Sequence, residues 1–403
     1  MTVQTTSNLT NALRAQYLED YINAAKMVRL YDQLAFPVGR DMSTLKRGSS
    51  VVVNFISDLA PGTSTISEIA DVVPVTQRDA TASITPTSRY NAIQVSEKLM
   101  NTSYTPYGAE RFASIGKNQM ESVDLLASAK ANAGASVNRY AASRAAAEAT
   151  ANEYITTSVF TNAQADLETL KVPSFLDAGR GIWAAFLHPY VFADLRAATT
   201  IVAVAEYQKA NIILAHELGE LGPFKLVVSP WVKTFWSAGA AYASTPIATT
   251  IATSTTANIA LSKTIEVAAN TNFSSHYGDW VTIGTLETGD THYSTNERVR
   301  IVSISGTTVT IIGEGANGGL RFDHTVGETV SNAHSVASVT FGGPKSLAKV
   351  YDTTTGEYGE VVGPKKQGLL DQFESLGWKF YGDYAIISES WLHRYECTFS
   401  QDA

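Results

Sequence analysis

The chain has 403 residues, of which 44% are apolar and only 17% are charged. Soluble proteins average about 25% charged residues, and disorder requires low hydrophobicity with high net charge, so this composition excludes a disordered chain. The formal net charge of −8 argues against a broad basic face that binds phosphate backbones. The length predicts two or three domains, with enough chain to bury a core.

The cysteine content and the hydropathy restrict the class further. The single cysteine, Cys397, cannot form an intramolecular disulfide, which excludes a disulfide-stapled secreted scaffold. No stretch of about 18 uninterrupted apolar residues predicts a membrane span. The first residues show neither the basic nor the apolar region of a secretory signal. We therefore expect a soluble protein made in a reducing cytosol, with no membrane partner.

The first hundred residues predict one helix and a long excursion between strands. Residues 9–30 have apolar side chains at helical spacing, whereas Val51–Ile56, 80–84 and 92–95 have the pattern of strands. The polar segment that follows Val51–Ile56 is too long to be stable alone, so we expect it to lie against another subunit. A mobile surface loop is the alternative. The charged residues of this region are candidate intersubunit contacts: Glu68, Asp71, Arg78, Asp79 and Arg89.

The middle of the chain predicts a long helix followed by alternating helix and strand. Residues 108–149 have an apolar face and then many alanines, which favours one long helix. Glycine costs about 1 kcal/mol relative to alanine in a helix, so a bend or break is expected near Gly134. Beyond it, we expect strands over 182–187 and Phe224–Val228 and a helix over 190–198, which begins after a proline.

Residues 237–345 differ in composition from the rest, with 31 serines and threonines among 109 residues and only two lysines. Short strands between glycine turns predict a small β-sandwich or barrel. Its clearest hairpin is 298–313, with Ser305-Gly306 as the predicted turn, and 281–283 and 336–341 are further strands. Mixed α/β sequence resumes at Ser346 and ends in strands over 378–381, 384–387 and 391–398, so the β-rich segment is expected to be an insertion.

Two motifs resemble known sites only in part. The pentapeptide HELGE, which starts at His216, begins like the zinc-protease helix signature, but Glu220 stands where the second histidine is needed. Residues 313–318 match G-x-G-x-x-G, but no helix follows to hold a pyrophosphate, so we interpret them as a glycine-rich turn.

Isolated titratable residues give no further site. His276 and His292 share a segment with Asp279 and Asp290, where an exposed loop is expected rather than a metal site. Cys397 is expected to be a packed thiol rather than a nucleophile. The sequence therefore predicts no catalytic residue, no metal ligand and no cofactor.

Three blocks of sequence carry a resemblance to a known family: GRGIWAAFLHPYVFADLR (179–196), GELGPFKLVVSP (219–230) and LGWKFYGDYAIISESWLHRYE (376–396). Their shared order is a strand, a His-Pro pair, a helix with an Asp-Leu step, a glycine-bounded strand and a late Gly-Trp-Lys block. In this order the chain resembles the major capsid protein of tailed bacteriophages with the Hong Kong 97-type fold.

The resemblance implies an α+β Hong Kong 97-type capsid fold with an inserted all-β domain. It divides the chain into six parts: an N-terminal arm and helix (1–50), an extended β-hairpin loop (51–105), the spine helix of the peripheral domain (106–160), the axial domain (161–236), an inserted β-sandwich or barrel domain (237–345) and a return to the axial and peripheral domains (346–403).

The resemblance also implies a function without enzymatic activity. The expected protein self-assembles through pentamers and hexamers into the icosahedral head shell that encloses a double-stranded DNA phage genome. Its expected partners are copies of itself, separate scaffolding, portal and decoration proteins, and packaged DNA through weak non-specific contact. Its expected location is the virion, after assembly in the host cytoplasm. No Lys–Asn pair for a covalent cross-link can be assigned.

Two other classes stay open at the level of sequence. A phage tail or receptor-binding structural protein would account for the β-rich segment, but it leaves the long helix unexplained. A hydrolase or metalloenzyme rests on HELGE alone.

Overall fold

The computed structural model describes residues 30–40, 50–56, 59, 61–63, 65, 74–102, 107–134, 136–149, 153–177, 180–197, 217–242, 245–253, 257–284, 296–368 and 372–402. The chain divides into two compact units. The first contains Ala35–Asp124 and Leu347–Ile387, and the second contains Leu30–Leu34, Leu125–Ser346 and Ser388–Ala403. The helix predicted over 9–30 lies outside the described residues, apart from Leu30.

The described residues contain four α-helices: α1 (Glu97–Thr102), α2 (Tyr107–Asn132), α3 (Thr157–Thr169) and α4 (Pro189–Ala197). The helix predicted after residue 189 is confirmed, with the proline at its first position, where no backbone N–H is needed. None of the helices in the described ranges is both long and apolar enough to cross a membrane.

The described strands are numbered in chain order. The first ten are β1 (Ala35–Arg40), β2 (Val51–Ile56), β3 (Asp79–Ile84), β4 (Thr87–Ser96), β5 (Val137–Arg139), β6 (Phe175–Asp177), β7 (Arg180–Leu187), β8 (Glu217–Leu221), β9 (Phe224–Val228) and β10 (Thr234–Phe235). The others are β11 (Ala248–Thr250), β12 (Thr264–Glu266), β13 (Trp280–Ile283), β14 (Glu297–Ser305), β15 (Thr308–Ile312), β16 (Thr329–Ser331), β17 (Val336–Gly342), β18 (Leu347–Asp352), β19 (Glu360–Gln367), β20 (Phe373–Ile386) and β21 (Leu392–Cys397).

The long helix predicted over 108–149 is shorter than expected. Helix α2 ends at Asn132, close to the break expected at Gly134. The alanine-rich continuation was wrongly predicted as helix, because β5 there pairs in parallel with β21 and a short 3-10 turn follows at Arg144–Ala146. Sheet pairing therefore outweighs the helix propensity of the alanines.

The main sheet of the first unit is organised around its longest strand, β20. Strand β4 pairs with one edge of β20 over ten residues, and β18 and β19 lie along the other edge, because Gly382 pairs with both Thr87 and Tyr351. Strand β1 extends the sheet in parallel with β18. The two strands predicted over 378–381 and 384–387 are one strand. At their junction, a Cβ on Gly382 would lie 2.4 Å from the carbonyl oxygen of Val350, so glycine permits the close approach.

The second unit contains an eight-stranded mixed sheet. Its order is β5-β21-β17-β7-β9-β8, and β10 and β6 pair with β17 and β7. Helices α3 and α4 contribute apolar side chains to the core on this sheet, including Phe160, Leu167 and Leu195, which contact a cluster that contains Phe224 and Phe341. These residues are almost fully buried, and each large apolar side chain buried in this way stabilises the fold by about 1.5–3 kcal/mol.

The β-rich segment forms a six-stranded antiparallel sheet in the order β11-β16-β13-β14-β15-β12. A bridge between Ile251 and Val267 joins its two end strands: the N–H of Ala252 donates to the Glu266 carbonyl, and the N–H of Ala268 donates to the Thr250 carbonyl. The sheet therefore closes into a barrel, one of the two forms predicted.

The barrel interior follows the two-residue repeat of a strand. Val281 and Ile283, Val299 and Ile301, and Val309 and Ile311 all point into one buried cluster. The hairpin predicted over 298–313 is confirmed, but its turn is Gly306-Thr307, because Ser305 still pairs with Thr308. Gly306 has φ +60°, which explains a glycine at the first position of this two-residue turn.

The strand predicted over 336–341 exists but does not belong to the barrel. Strand β17 pairs with β7 and β21 in the eight-stranded sheet, and β10 also joins that sheet. The barrel strands thus end at Ser331. The expected return of mixed α/β structure after Ser346 is also wrong, because the described residues there form strands and 3-10 turns without an α-helix.

Candidate functional site

The first unit carries an exposed hairpin, formed by β2, β3 and the residues between them. This hairpin is called the arm below and is distinct from the N-terminal arm expected over 1–50. The two strands pair antiparallel from Val51↔Ile84 at the base to Ile56↔Asp79 at the far end. At the base, Val51 and Ile84 are buried in a cluster with Ala348 and Val350. An isolated hairpin is only marginally stable, so this apolar base anchors the arm to the sheet.

Beyond its base the arm is exposed. Every side chain described between Asn54 and Thr81 is exposed. Among the described residues of the arm, four large apolar side chains are exposed: Val52 near the base is 50% exposed, Ile56 68%, Leu59 54% and Val75 75%. Each large apolar side chain left in water forgoes about 1.5–3 kcal/mol of burial. The arm therefore carries an apolar surface that another molecule could cover.

The charged residues predicted as intersubunit contacts are not in one cluster. Arg78 and Asp79 are neighbours at the far end of the arm, both exposed. Arg89 is half-buried on β4, opposite Phe380, and is separated from them by the whole of β3. Glu68 and Asp71 lie outside the described residues. The structure thus leaves Arg78 and Asp79 as the charged pair at the end of the arm.

Strand β4 offers a second exposed surface next to the arm. It pairs with β20 along one edge, and no described strand pairs with its other edge. Tyr90 on this strand is 79% exposed. Open strand edges present unpaired backbone N–H and C=O groups to any neighbouring chain, so β4 can accept a partner along its length.

Polar contacts with α2 hold β4 and β20 in place. The amide oxygen of Asn118 accepts hydrogen bonds from the indole N–H of Trp378 at 3.0 Å and from the side-chain amide of Asn91 at 3.1 Å. About two helical turns before Asn118, the buried guanidinium of Arg111 forms an ion pair with Glu374 of β20. These bonds connect the first half of α2 to two strands of the same unit.

Sequence reasoning missed the apolar residues of the arm. It selected only the charged residues there. The sequence of Val51–Ile56 does indicate an apolar contact surface, because apolar side chains occur on both faces of this strand. In a strand with one solvated face, alternate residues are polar. Apolar residues on both faces indicate a strand that is covered on both sides.

The motifs examined for chemistry do not form a reaction centre in the described residues. Within HELGE, Glu217–Leu221 is strand β8, so the helix that a zinc-protease site needs is absent, and His216 lies outside the described residues. Residues 313–318 form a tight turn that ends in a 3-10 segment at Ala316–Gly318, as interpreted from the sequence. No cluster of three metal-binding side chains occurs in the part of the chain that the structure describes.

Two isolated titratable residues are buried. Cys397 is a packed thiol, as predicted, and burial raises its pKa. His276 was wrongly predicted to lie in an exposed loop. Its Nδ1 is 2.8 Å from a carboxylate oxygen of Asp279, and its Nε2 is 2.7 Å from the carbonyl oxygen of Thr245. His292 and Asp290 lie outside the described residues.

Solved structures of phage capsids share this fold. In the capsid of Ralstonia phage GP4, a chain with 9% sequence identity matches with a TM-score of 0.56, over 92% of this chain and 92% of that one. In the capsid of the cyanophage P-SCSP1u, a chain with 10% identity matches with a TM-score of 0.51, over 92% of this chain and 88% of that one. No family model matches the sequence, and no curated protein matches it. The chain therefore has a phage capsid fold, as the sequence resemblance implied.

Proposed function

We propose that this chain is the major capsid protein of a tailed bacteriophage, and that its copies assemble into the icosahedral head shell around a double-stranded DNA genome. The observation that carries the proposal is the shared fold, which extends over 92% of this chain and 92% of a phage capsid chain. A match over nearly the whole of both chains supports a common role better than a match to one module would.

The arm is proposed as the element that binds a neighbouring subunit. The support is its buried base and exposed apolar length, from Val51 at 6% exposure to Ile56 at 68% and Val75 at 75%. We propose that Arg78 and Asp79, and also Glu68, Asp71 and Arg89, form polar contacts around this apolar surface. Heterologous contacts of this kind close into rings when the rotation is right, which fits pentamers and hexamers.

The remaining parts are assigned in the same way. We propose that α2 is the spine helix of a peripheral domain, that the eight-stranded sheet belongs to the axial domain, and that the barrel of 248–331 is an inserted all-β domain. The barrel has its own buried core, which supports its treatment as a separate module. Separate scaffolding, portal and decoration proteins complete the virion. The net charge of −8 supports only weak contact with packaged DNA.

The first experiment tests the arm with a shortened chain. Residues 57–78 are replaced by Asn-Gly, a two-residue turn that matches the terminal pair Ile56↔Asp79. We expect negative-stain microscopy to show closed shells for the natural chain. The shortened chain should have an unchanged circular dichroism spectrum and melting curve but form no shells.

Point variants separate the apolar surface from the rest of the arm. The double variant Ile56→Asp, Val75→Asp places charges on two exposed positions, and we expect it to abolish shells without unfolding the chain. The matched control is Val326→Asp in the barrel, where the side chain is 63% exposed, and this variant should still assemble. If the double variant still formed shells, the apolar surface of the arm would not be part of the subunit interface. Trimers or fibres from the natural chain would instead indicate a tail or receptor-binding protein.

A further inference from the structure

A cavity of about 580 Å³ lies within the second unit, beside the barrel. Its volume is within the range of roughly 300–1,000 Å³ typical of small-molecule sites. Five aromatic side chains line the wall: Tyr190, Trp231 and Trp236 on one side, and Trp280 and Phe322 of the barrel segment on the other. Three of the six tryptophans of the chain therefore line one cavity.

A buried cation stands at the centre of this wall. The guanidinium carbon of Arg298 is 5.1 Å from the ring centre of Trp236, 5.2 Å from that of Trp280 and 5.4 Å from that of Tyr190. Burial lowers the pKa of Arg298 to about 10, so the group keeps its charge at neutral pH. Aromatic faces stabilise a cation but do not neutralise it, so Arg298 makes the cavity attractive to an anion.

The other titratable groups leave an excess of positive charge. Burial and the nearby Arg298 lower the pKa of His188 to about 3, so this lining histidine is neutral. Lys233 and Arg321 also line the cavity, together with the two carboxylates Glu314 and Glu297. The Glu297 carboxylate is matched by the ring of His324, whose Nε2 is 2.7 Å from it.

The Glu297 carboxylate also fixes the shape of the wall. One of its oxygens accepts a hydrogen bond of 2.8 Å from the backbone N–H of Arg321, and the other accepts one of 3.4 Å from that of Phe322. The two residues that close the cavity on the barrel side are thus held by a buried side chain. A site with a fixed wall loses less entropy when a ligand binds.

The rim combines hydrogen-bond donors with acceptors. Asn296 offers both, Glu314 accepts, and Arg321 donates while its guanidinium carbon lies 5.8 Å from the ring centre of Trp231. A purely apolar ligand would cover these polar groups without forming hydrogen bonds to them, which is unfavourable. Sugar rings present C–H faces to aromatic side chains and hydroxyl groups to such a rim.

We propose that this cavity binds an acidic saccharide, a sugar whose ring lies against the tryptophans and whose carboxylate pairs with Arg298. Every residue of the site belongs to one unit of one chain, so the site is complete within a single subunit. It would give the particle affinity for acidic surface polysaccharides.

Tryptophan fluorescence and calorimetry of the natural chain test the site. The probe is tetragalacturonic acid, and its fully methyl-esterified form is the uncharged control. We expect saturable binding of the acid with a change in tryptophan emission. The ester should bind roughly ten- to a hundredfold more weakly, because a charge-assisted hydrogen bond contributes about 1.5–3 kcal/mol. Failure of the acid to bind at millimolar concentration, or equal affinity for acid and ester, would overturn the proposal.

Variants assign the binding to the cavity. Arg298→Met should weaken binding by at least the factor seen with the ester, and Arg321→Ala at the exposed rim tests the same wall if the buried substitution unfolds the barrel. Arg300→Ala is the matched control, because it removes the same charge two residues along β14 from an exposed position outside this cavity. Equal losses for Arg300→Ala and Arg321→Ala would show that the acid binds through general charge, which contradicts the proposed site.

Discussion

The side-chain oxygen of Asn132 accepts a hydrogen bond of 2.7 Å from the hydroxyl of Ser338, 206 residues further along the chain. The amide nitrogen of Asn132 donates at 2.8 Å to the carbonyl of Ser128, one turn back in α2. Both residues are fully buried. The last residue of the long helix is therefore bonded to the middle of the central strand β17.

This bond predicts a measurable loss of stability in Asn132→Ala. The substitution leaves the Ser338 hydroxyl buried without that acceptor, and such a loss costs about 1–3 kcal/mol. Chemical denaturation of the purified chain should give a free energy of unfolding lower by this amount. The control is Asn162→Ala at an exposed position of α3, which should change the value by no more than about 0.5 kcal/mol. Equal effects of the two substitutions would contradict the role of Asn132.

The ion pair between Arg111 and Glu374 predicts a pattern across a double-mutant cycle. Arg111 is 4% exposed, so Glu374→Leu strands a buried charge and should destabilise the chain by about 3 kcal/mol. Arg111→Met should cost less, and the double variant should recover most of the loss, because a buried ion pair is often replaceable by apolar residues. Strictly additive losses, measured by denaturant titration, would show that the two side chains act independently.

His324 predicts a pH dependence of barrel stability. Burial alone would lower its pKa, but hydrogen bonds from its ring to the carboxylates of Glu297 and Glu328 raise the pKa above the ordinary 6.5. The stabilisation is therefore complete below about pH 6.5 and is lost as the pH rises through the raised value. Burial would raise the pKa of Glu328, but its hydrogen bonds lower it, so its contribution is lost as the pH falls below 4.5.

Melting curves from pH 4 to pH 9 check this sign. Stability from the His324 site should be greatest between the two ordinary pKa values, and His324→Gln should flatten the decline on the alkaline side. His334→Gln is the contrasting control, since burial lowers the pKa of His334 and its protonation opposes folding in acid. The control should alter the acidic side only. An unchanged alkaline side in His324→Gln would refute the assignment.

Glu396 predicts a second electrostatic effect. Its carboxylate oxygens are 2.6 Å from Nε of Arg139 and 2.7 Å from Nη2 of Arg144. Burial would raise the pKa of Glu396, but these arginines lower it below the ordinary 4.5, so its stabilisation is present above pH 4.5 and is lost in acid. Glu396→Gln should lower the free energy of unfolding by about 3 kcal/mol at neutral pH and weaken the dependence on acid.

The control for this prediction is Glu168→Gln, an exposed carboxylate on α3. Removal of a surface charge should change stability by about 0.5 kcal/mol or less. A loss at Glu396 no larger than at Glu168 would mean that the arginines are held by other contacts. Urea titrations of both variants at neutral and acidic pH measure the difference.

Individual strands, helices and turns of this fold can be predicted from the sequence, because they depend on residues that are close together in the chain. Residue spacing and turn residues predict several elements that the structure contains: the strands Val51–Ile56 and Phe224–Val228, the helix α4 that begins with a proline, and the hairpin of β14 and β15. The barrel class follows in the same way, from short strands between glycine turns. The prediction of a phage capsid fold rests on the order of three sequence blocks and not on any single block.

Strand pairs and contacts between residues that are far apart in the sequence cannot be predicted in this way. Nothing in residues 336–341 distinguishes a barrel strand from the central strand of the larger sheet, because Ser338 and Thr340 alternate with apolar residues there just as polar residues do in the barrel strands β14 and β15. The early end of α2 depends on β21 as the partner of β5, and the Asn132–Ser338 bond connects positions that no local pattern relates. The apolar residues of the arm are visible in the sequence, but their exposure to solvent is known only from the structure.

The Ile251–Val267 bridge has one further consequence. In a shell, hundreds of identical modules would stand side by side at a local concentration far above that of any solution. A strand with an open edge could then pair with the same strand of a neighbouring copy through backbone hydrogen bonds. Each of the six described strands of the ring has a partner on both sides, so these strands present no open edge to a neighbouring copy, and crowding does not favour aggregation through them.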